Sequence, residues 1–418
     1  MKICVVGLGH LGMVTAACVS AHYETVACDA HAASIAEPGL DEALKSGKAS
    51  GRLTFRASLP EAVTGADVIW FTYETPVGED DVADVGFLRK RMRELLPLIP
   101  EGALVLISSQ APVGFTAEAG AAFRKLRPQA KVAFAYSPEN LQLGRALESF
   151  RKPERIVVGA RDAATHDRLA ELLSPFCARV EKMSPESAEM TKHALNAFLA
   201  TSVAFINEVA ALCERVGADP QEVERGLKSE PRIGPRAYLR PGGAFSGGTL
   251  ARDISYLIDI ARKNKRTSRL FPAVLASNEE HKHWPRRNLK ERLRTLKGKT
   301  IAVWGLAYKP GTDSLRRSAS VELCRWLLKS GARVAAFDPV VRALPRDCKA
   351  VKLCAGAELA LANADALVVA VEWPDFRAVA PEALSAMRAP VIIDASGYLT
   401  STLGRYPGAR YVVVGRKS

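Results

Sequence analysis

Three glycines and one carboxylate carry the first chemical signal in this chain. Gly7, Gly9 and Gly12 follow the apolar run KICVV as G-x-G-x-x-G, and Asp29 closes the next apolar run, ETVAC. In this pattern the first glycine permits a tight turn and the second lets a pyrophosphate approach the backbone. The third lets helix and strand pack closely. The N-terminus of the following helix offers free N–H groups and the positive end of its dipole to the phosphates. A carboxylate at the end of the second strand holds both ribose hydroxyls and repels a 2′-phosphate, so NAD is expected rather than NADP. A glycine triplet alone is weak evidence. Its strand–turn–helix–strand–Asp setting makes it a dinucleotide site.

The design recurs near the C-terminus. KTIAVWGLAYKPGTDSLRRSASVELCRWLLKSGARVAAFDP repeats the order and ends its second apolar run at Asp338. GLAYKP lacks the second and third glycines, so no second dinucleotide is expected there. Lys309, Arg316 and Arg317 could instead meet anionic phosphate groups, or form an ordinary solvated basic turn. DVIWFT, ALVLISS, VAFAYSP and RIVVGA continue the first unit, and ALVVAVEW, VIIDASG and YVVVG continue the second. Continuous apolar strands alternating with helices predict parallel sheets covered on both faces. The fold class is therefore α/β, with two Rossmann-like doubly wound domains.

Between them, SPESAEMTKHALNAFLATSVAFINEVAALCERVG has no Gly or Pro after Pro185 until Gly217, and its apolar residues recur at three and four. That spacing predicts one long helix, with Ser184 as its cap. More helical pattern runs from Pro220 to about Leu296, interrupted by PRIGPRAYLRPGGAFSGGTLARD. The expected organisation is a dinucleotide-binding domain over 1–183, a helical domain over 184–296 with an apolar face for dimerisation, and a second Rossmann-like domain over 297–418.

Composition narrows the partners. The 418 residues are 48% hydrophobic and 25% charged, ordinary values for a soluble globular chain. The net charge of +13 raises nucleic acid as a partner. Lys and Arg are scattered among carboxylates, however, and no nucleic-acid motif accompanies them. An anionic small substrate explains the balance equally well. No uninterrupted apolar run reaches a membrane span, and MKICVVGLGHLG is a strand entering a glycine turn rather than a signal peptide. Eight cysteines form no CxxC pair. They read as buried free thiols of a cytoplasmic protein, with no metal site.

At this point the residues become recognisable. GLGHLG, EPGL (37–40), TPVG (75–78), APVG (111–114), SPENLQLGRALESF, KPERIVVG, SAEMTKHALNAFLATSVAFINEVAALCE, RIG (232–234), GLAYKPGTDSLRRS, FDP (337–339) and VEWPDF occur in order. With them the chain resembles the UDP-glucose/GDP-mannose dehydrogenase family along nearly its whole length. The resemblance implies NAD-dependent oxidation of the 6-hydroxymethyl of a nucleotide sugar, a UDP-sugar before others, by two Rossmann-like domains. It also implies a joining helix that forms a homodimer interface.

Carried over by position, Glu139 matches the family's active-site glutamate. Lys192 and Asn196 match the Lys and Asn of the central helix, and Asp253 matches the aspartate closing the catalytic loop. Thr75, Gln110 and Arg316 fall at cofactor positions. Leu141, Tyr238, Leu239, Phe245 and Lys309 fall at substrate positions, and Arg232 matches an arginine that reaches the partner subunit's substrate.

Departures cluster at the chemistry. The family's catalytic loop reads roughly G-F-G-G-S-C-F-P-K-D, and residues 244–253 read AFSGGTLARD. Thr249 therefore stands for the nucleophilic cysteine and Arg252 for the loop lysine. Gln110 stands for a threonine, Leu143 for a second glutamate and Ser396 for a nucleotide-contacting arginine. The segment from Asp29 to Glu37 is also shorter than usual, which is expected to remove much of a helix and disturb the adenosine pocket. Thr249 is expected to serve in place of the cysteine or merely to fill space. Three outcomes stay open: oxidation that stops at the aldehyde or ketone, redox-neutral epimerisation with retained NAD, and a catalytically silent nucleotide-sugar-binding protein.

Overall fold

The structure is a computed structural model that describes residues 1–30, 35, 37–76 and 83–416. Val77 and Gly78 of the TPVG motif lie outside the described residues. The chain forms two compact units, Met1–Ala194 and Leu195–Ser418.

The first unit is built on β1 (Lys2–Val6), β2 (Glu24–Cys28), β3 (Leu53–Arg56), β4 (Val68–Phe71), β5 (Leu104–Ile107), β6 (Ala133–Tyr136), β7 (Ile156–Gly159) and β8 (Val180–Met183). Their order across the sheet is β3-β2-β1-β4-β5-β6-β7-β8. All neighbours run parallel except β6 and β7, which meet antiparallel at Tyr136 and Gly159. Ile3, Cys4, Val5 and Val6 are all buried, as a strand covered on both faces requires. The strand order reverses between β1 and β4, and ligands of doubly wound sheets bind beyond the strand ends at such a switch point. Gly7 and Thr72 follow those two strands directly.

The crossover from β2 to β3 is described in part. It contains a helix, Leu40–Ala49, begun at the EPGL turn, while most of the shortened link before Glu37 lies outside the described residues. Gly39 makes that start possible, because its φ of 76° lies in the left-handed region.

One helix of 32 residues, Pro185–Val216, runs from the first unit into the second. Ser184 Oγ accepts the Ser187 N–H, which is the N-terminal cap that the sequence predicts. By length and composition alone this helix is apolar enough to cross a membrane, with a mean hydropathy of 1.5 over its most apolar window. Its buried Glu189, Lys192, His193, Asn196 and Asn207 instead mark it as the core helix of a folded protein.

The second unit continues with the helices Pro220–Ser229, Thr249–Lys263, Leu270–Lys282 and Trp284–Leu293. The predicted interruption therefore ends at Gly248, and Thr249 already belongs to a helix. The unit's sheet comprises β9 (Thr300–Trp304), β10 (Arg333–Phe337), β11 (Lys352–Leu353), β12 (Ala366–Val369), β13 (Val391–Asp394) and β14 (Arg410–Val412). Its order is β11-β10-β9-β12-β13-β14, with every pair parallel. Two Rossmann-like sheets and a long connecting helix are thus present.

Candidate active site

The glycine turn after β1 explains its own residues. Gly7 has φ of 95°, and a Cβ there would lie 2.6 Å from the Tyr73 ring. A Cβ on Gly12 would lie 1.9 Å from the Gly7 carbonyl oxygen, so only glycine lets this helix start so close to the strand. The Asp29 carboxylate accepts the Leu8 N–H at 2.8 Å and stays half-buried. It therefore braces the turn. Its counterpart Asp338 is fully occupied within its own unit. It takes N–H groups from Leu306, Ala307, Val340 and Val341 and the Trp373 indole N–H.

Loops in the first unit are tied by buried carboxylates. Glu37, which opens the EPGL motif, accepts from the Gly144 and Ala146 N–H groups at 3.0 and 2.8 Å and meets His10 Nε2 at 2.9 Å. Burial alone would raise its carboxyl, but the His10, Ala146 and Gly144 donors together hold it below the usual carboxylate range. It joins the glycine turn to the segment that follows Glu139.

Glu189, on the long helix, accepts from Gly114 N at 2.5 Å, Thr116 N at 2.9 Å and the Thr116 hydroxyl at 2.7 Å. Its complete burial raises its pKa despite those donors. The Thr75 hydroxyl donates to the Gln110 carbonyl at 2.5 Å, joining the loops after β4 and β5.

Lys192 projects from the long helix and is buried. Its ammonium donates to the Glu139 carbonyl and to Asn140 Oδ1, and it lies 3.7 Å from Glu139 Oε1. The other Glu139 oxygen accepts the Leu141 N–H at 2.7 Å. Glu139, Leu141 and Lys192 therefore form one cluster, with its cation desolvated beside a carboxylate.

Asn196 lies one turn further along the same helix. In the second unit it donates to the carboxylate of Asp253, which is wholly buried on the helix Thr249–Lys263. Ahead of that helix, the loop holding Phe245 is pinned from several sides. Asn207 accepts from Gly242 N and donates to Gly243 O. Asn278 clasps the Phe245 N–H and C=O, both at 2.9 Å. The Ser246 hydroxyl donates to the Tyr308 carbonyl, and a Cβ on Gly248 would lie 3.1 Å from an Arg316 guanidinium nitrogen. Thr249 begins the helix behind this loop and is exposed.

Further residues singled out in the sequence belong to the second unit. Lys309 Nζ sits 5.8 Å from the centre of the Tyr308 ring. Tyr238 is exposed whereas Leu239 is buried. Arg232, with an 88% exposed side chain, pairs with Glu230 at 2.8 Å. Ser396 lines a cleft of about 270 Å³ with Gln221, Glu224, Arg225, Arg240 and Pro241. A Cβ on Gly242 would stand 3.2 Å from the Ser396 side chain, so the loop passes close to that residue.

His281 was not singled out in the sequence, yet its Nε2–H donates to the Gly242 carbonyl at 2.7 Å. Burial pushes its pKa below the ordinary histidine value, and the carbonyl bond only partly opposes that. The unfolded chain therefore binds this proton more readily than the folded one. Stability from this group is present at neutral pH, falls as pH drops through about 6.5, and is lost below the depressed folded value. The Tm of wild type should accordingly fall between pH 7.5 and 5.5. His281→Gln keeps a donor and should flatten that dependence in thermal unfolding followed by circular dichroism.

Asn207, Asn278, Glu37 and Glu189 were missed as well. A signal existed for Asn207. It stands three turns beyond Asn196, a polar residue on a stripe that is otherwise apolar. For Asn278 and His281 no local pattern exists.

Comparison with known proteins gives one consistent result. The sequence models of the UDP-glucose/GDP-mannose dehydrogenase family match residues 1–177 (NAD binding domain), 186–280 (central domain) and 302–401 (UDP binding domain). The chain is 35% identical to a UDP-glucose 6-dehydrogenase of Pseudomonas aeruginosa, over 94% of this chain and 93% of that one. It is 33% identical to one from Rhizobium meliloti over the full length of both. The solved structure of a UDP-glucose dehydrogenase from Pyrobaculum islandicum superposes with a TM-score of 0.88. That match has 30% identity and covers 99% of this chain and 98% of that one.

Proposed function

Because the chain belongs to the UDP-glucose/GDP-mannose dehydrogenase family and carries its NAD-binding domain, we propose that it oxidises a hydroxyl of a nucleotide-diphosphate sugar, a UDP-sugar first, and stops at the carbonyl. NAD supplies the hydride acceptor when bound. Gly7, Gly9, Gly12 and Asp29 would hold it. The close packing of Gly7 and Gly12 is the backbone such a cradle needs.

The observation that carries the reading is the set of proton-handling groups along the helix Pro185–Val216. Lys192 is a buried cation bonded to Glu139, and Asn196 orients the buried carboxylate of Asp253. An alcohol oxidation needs a group that steadies the hydroxyl oxygen as it loses its proton, and a base that takes that proton directly or through water. In this reading Lys192 does the first and Asp253 the second. A second oxidation needs a nucleophile that adds to the aldehyde and later leaves. Thr249 is an alcohol at that position in the family's order. Purified protein given NAD and a panel of nucleotide sugars, with NADH read by absorbance and products by mass spectrometry, tests the proposal. Failure to reduce NAD with any of them would defeat it.

The homodimer belongs to the same reading. Phe198, Phe205 and Leu212 recur every seven residues on the long helix, and they are 68%, 49% and 66% exposed, with Val216 at 78% one turn on. Burying such side chains stabilises by about 1.5–3 kcal/mol each. Light scattering should give a dimer for wild type, and Leu212→Glu should shift it to monomer. A wild-type monomer at micromolar concentration would remove the proposal. Cytoplasmic location fits the cysteines, since all eight are free thiols, the state that a reducing compartment maintains.

A further inference from the structure

The second glycine of a dinucleotide turn is bare so that a pyrophosphate can come against the backbone. In this protein that face is already covered. A Cβ built on Gly9 would lie 2.8 Å from the carboxyl carbon of Glu74 and 3.0 and 3.1 Å from its two oxygens. The same carboxylate accepts the N–H of Leu11 at 3.3 Å. Leu11 is the second residue of the helix His10–Val19, which has no side-chain cap and no acidic residue in its first turn. The anion that this helix end attracts therefore comes from another part of the chain.

The backbone beneath Glu74 is held firmly. The Thr72 hydroxyl bonds the Val6 and Gly7 carbonyls, and Tyr73 packs its ring on Gly7. Glu74 is thus delivered to the turn from the end of β4, across the switch point. Its side chain is itself exposed and has solvent to move into.

We propose that Glu74 sets the affinity of the NAD site, its carboxylate filling the pyrophosphate seat of the free protein and leaving when the dinucleotide enters. Carboxylate and pyrophosphate seek the same N–H groups and the same helix dipole, and two anions repel each other at that range. Entry of NAD therefore includes breaking the Glu74–Leu11 bond and returning the carboxylate to water. The device would also keep small phosphates off the helix end while no dinucleotide is present.

Calorimetric titration of NAD into wild type, Glu74→Gln and Glu74→Ala tests this without reference to turnover. Both variants should bind NAD about tenfold tighter than wild type. In both, the NAD-free protein should melt slightly lower, since the helix end has lost its anion. Unchanged or weaker binding in Glu74→Gln and Glu74→Ala would overturn the proposal, because the side chain would then be neutral or would contact the bound dinucleotide. Gly9→Val, introduced into wild type and into Glu74→Ala, should abolish binding in both. Binding that survives Gly9→Val would place NAD away from this turn and overturn the seat and the proposal together.

Discussion

Wild-type protein supplied with UDP-glucose and NAD should release at most one NADH per sugar and no UDP-glucuronate. Acid formation needs a thiolate to add to the aldehyde, give a thiohemiacetal, and hold the oxidised carbon as a thioester until water cleaves it. Thr249 offers a hydroxyl, whose pKa lies far above the thiol value of about 8.5, so the attacking anion is scarce at neutral pH. Four of the chain's buried cysteines are poor replacements for it. Burial pushes Cys18 and Cys28 up to about 11 and Cys324 up to about 12, and raises Cys4 further still.

Thr249→Cys places a thiol at the first turn of the helix Thr249–Lys263, where the helix dipole favours a thiolate. That variant should be alkylated by iodoacetamide at position 249 at neutral pH. It should still form little acid, because in the proposed reading Gln110 and Leu143 depart from the family's pattern as well. Mass spectrometry of the turnover products decides the matter. Wild type making UDP-glucuronate at an ordinary turnover of roughly 1–10³ per second would show that the missing thiol is immaterial.

Lys192→Met and Asp253→Asn should each lower kcat by about 10²–10⁴, the usual worth of a positioned acid or base. Met keeps most of the buried volume of Lys192 while removing the cation that meets Glu139. Asn at 253 can still bond Asn196 but cannot accept a proton as a carboxylate does. Calorimetric affinity for NAD should stay near wild type in both variants, which separates lost chemistry from lost folding. Turnover within threefold of wild type in both would remove these two residues from the reaction. Wild type that binds a UDP-sugar but turns over no sugar at all would instead establish a silent binding protein.

Much of this molecule is legible in one dimension. Runs such as KICVV and TIAVW can only be strands covered on both faces, and the glycine turn and the closing aspartate follow from backbone geometry. Apolar spacing of three and four, uninterrupted by Gly or Pro, predicts the helix that starts at Pro185. Ordered motifs point to Glu139, Lys192, Asn196 and Asp253, because these motifs are local. Counting residues between Asp29 and Glu37 does not by itself reveal that a helix occupies Leu40–Ala49.

What the sequence determined by itself was the local part: strand and helix periodicity and the turn that only glycine permits. Tertiary structure decided which distant polar groups meet. Glu74 lies 65 residues from Gly9 by number and yet over its bare face, and Glu37 receives donors from a loop more than a hundred residues away. His281 and Asn278 hold a loop they do not adjoin in sequence. The physical reason is that periodicity encodes which face of an element is apolar. A buried hydrogen bond, by contrast, must be satisfied by whatever donor or acceptor the packed fold brings within reach, wherever it lies in the chain.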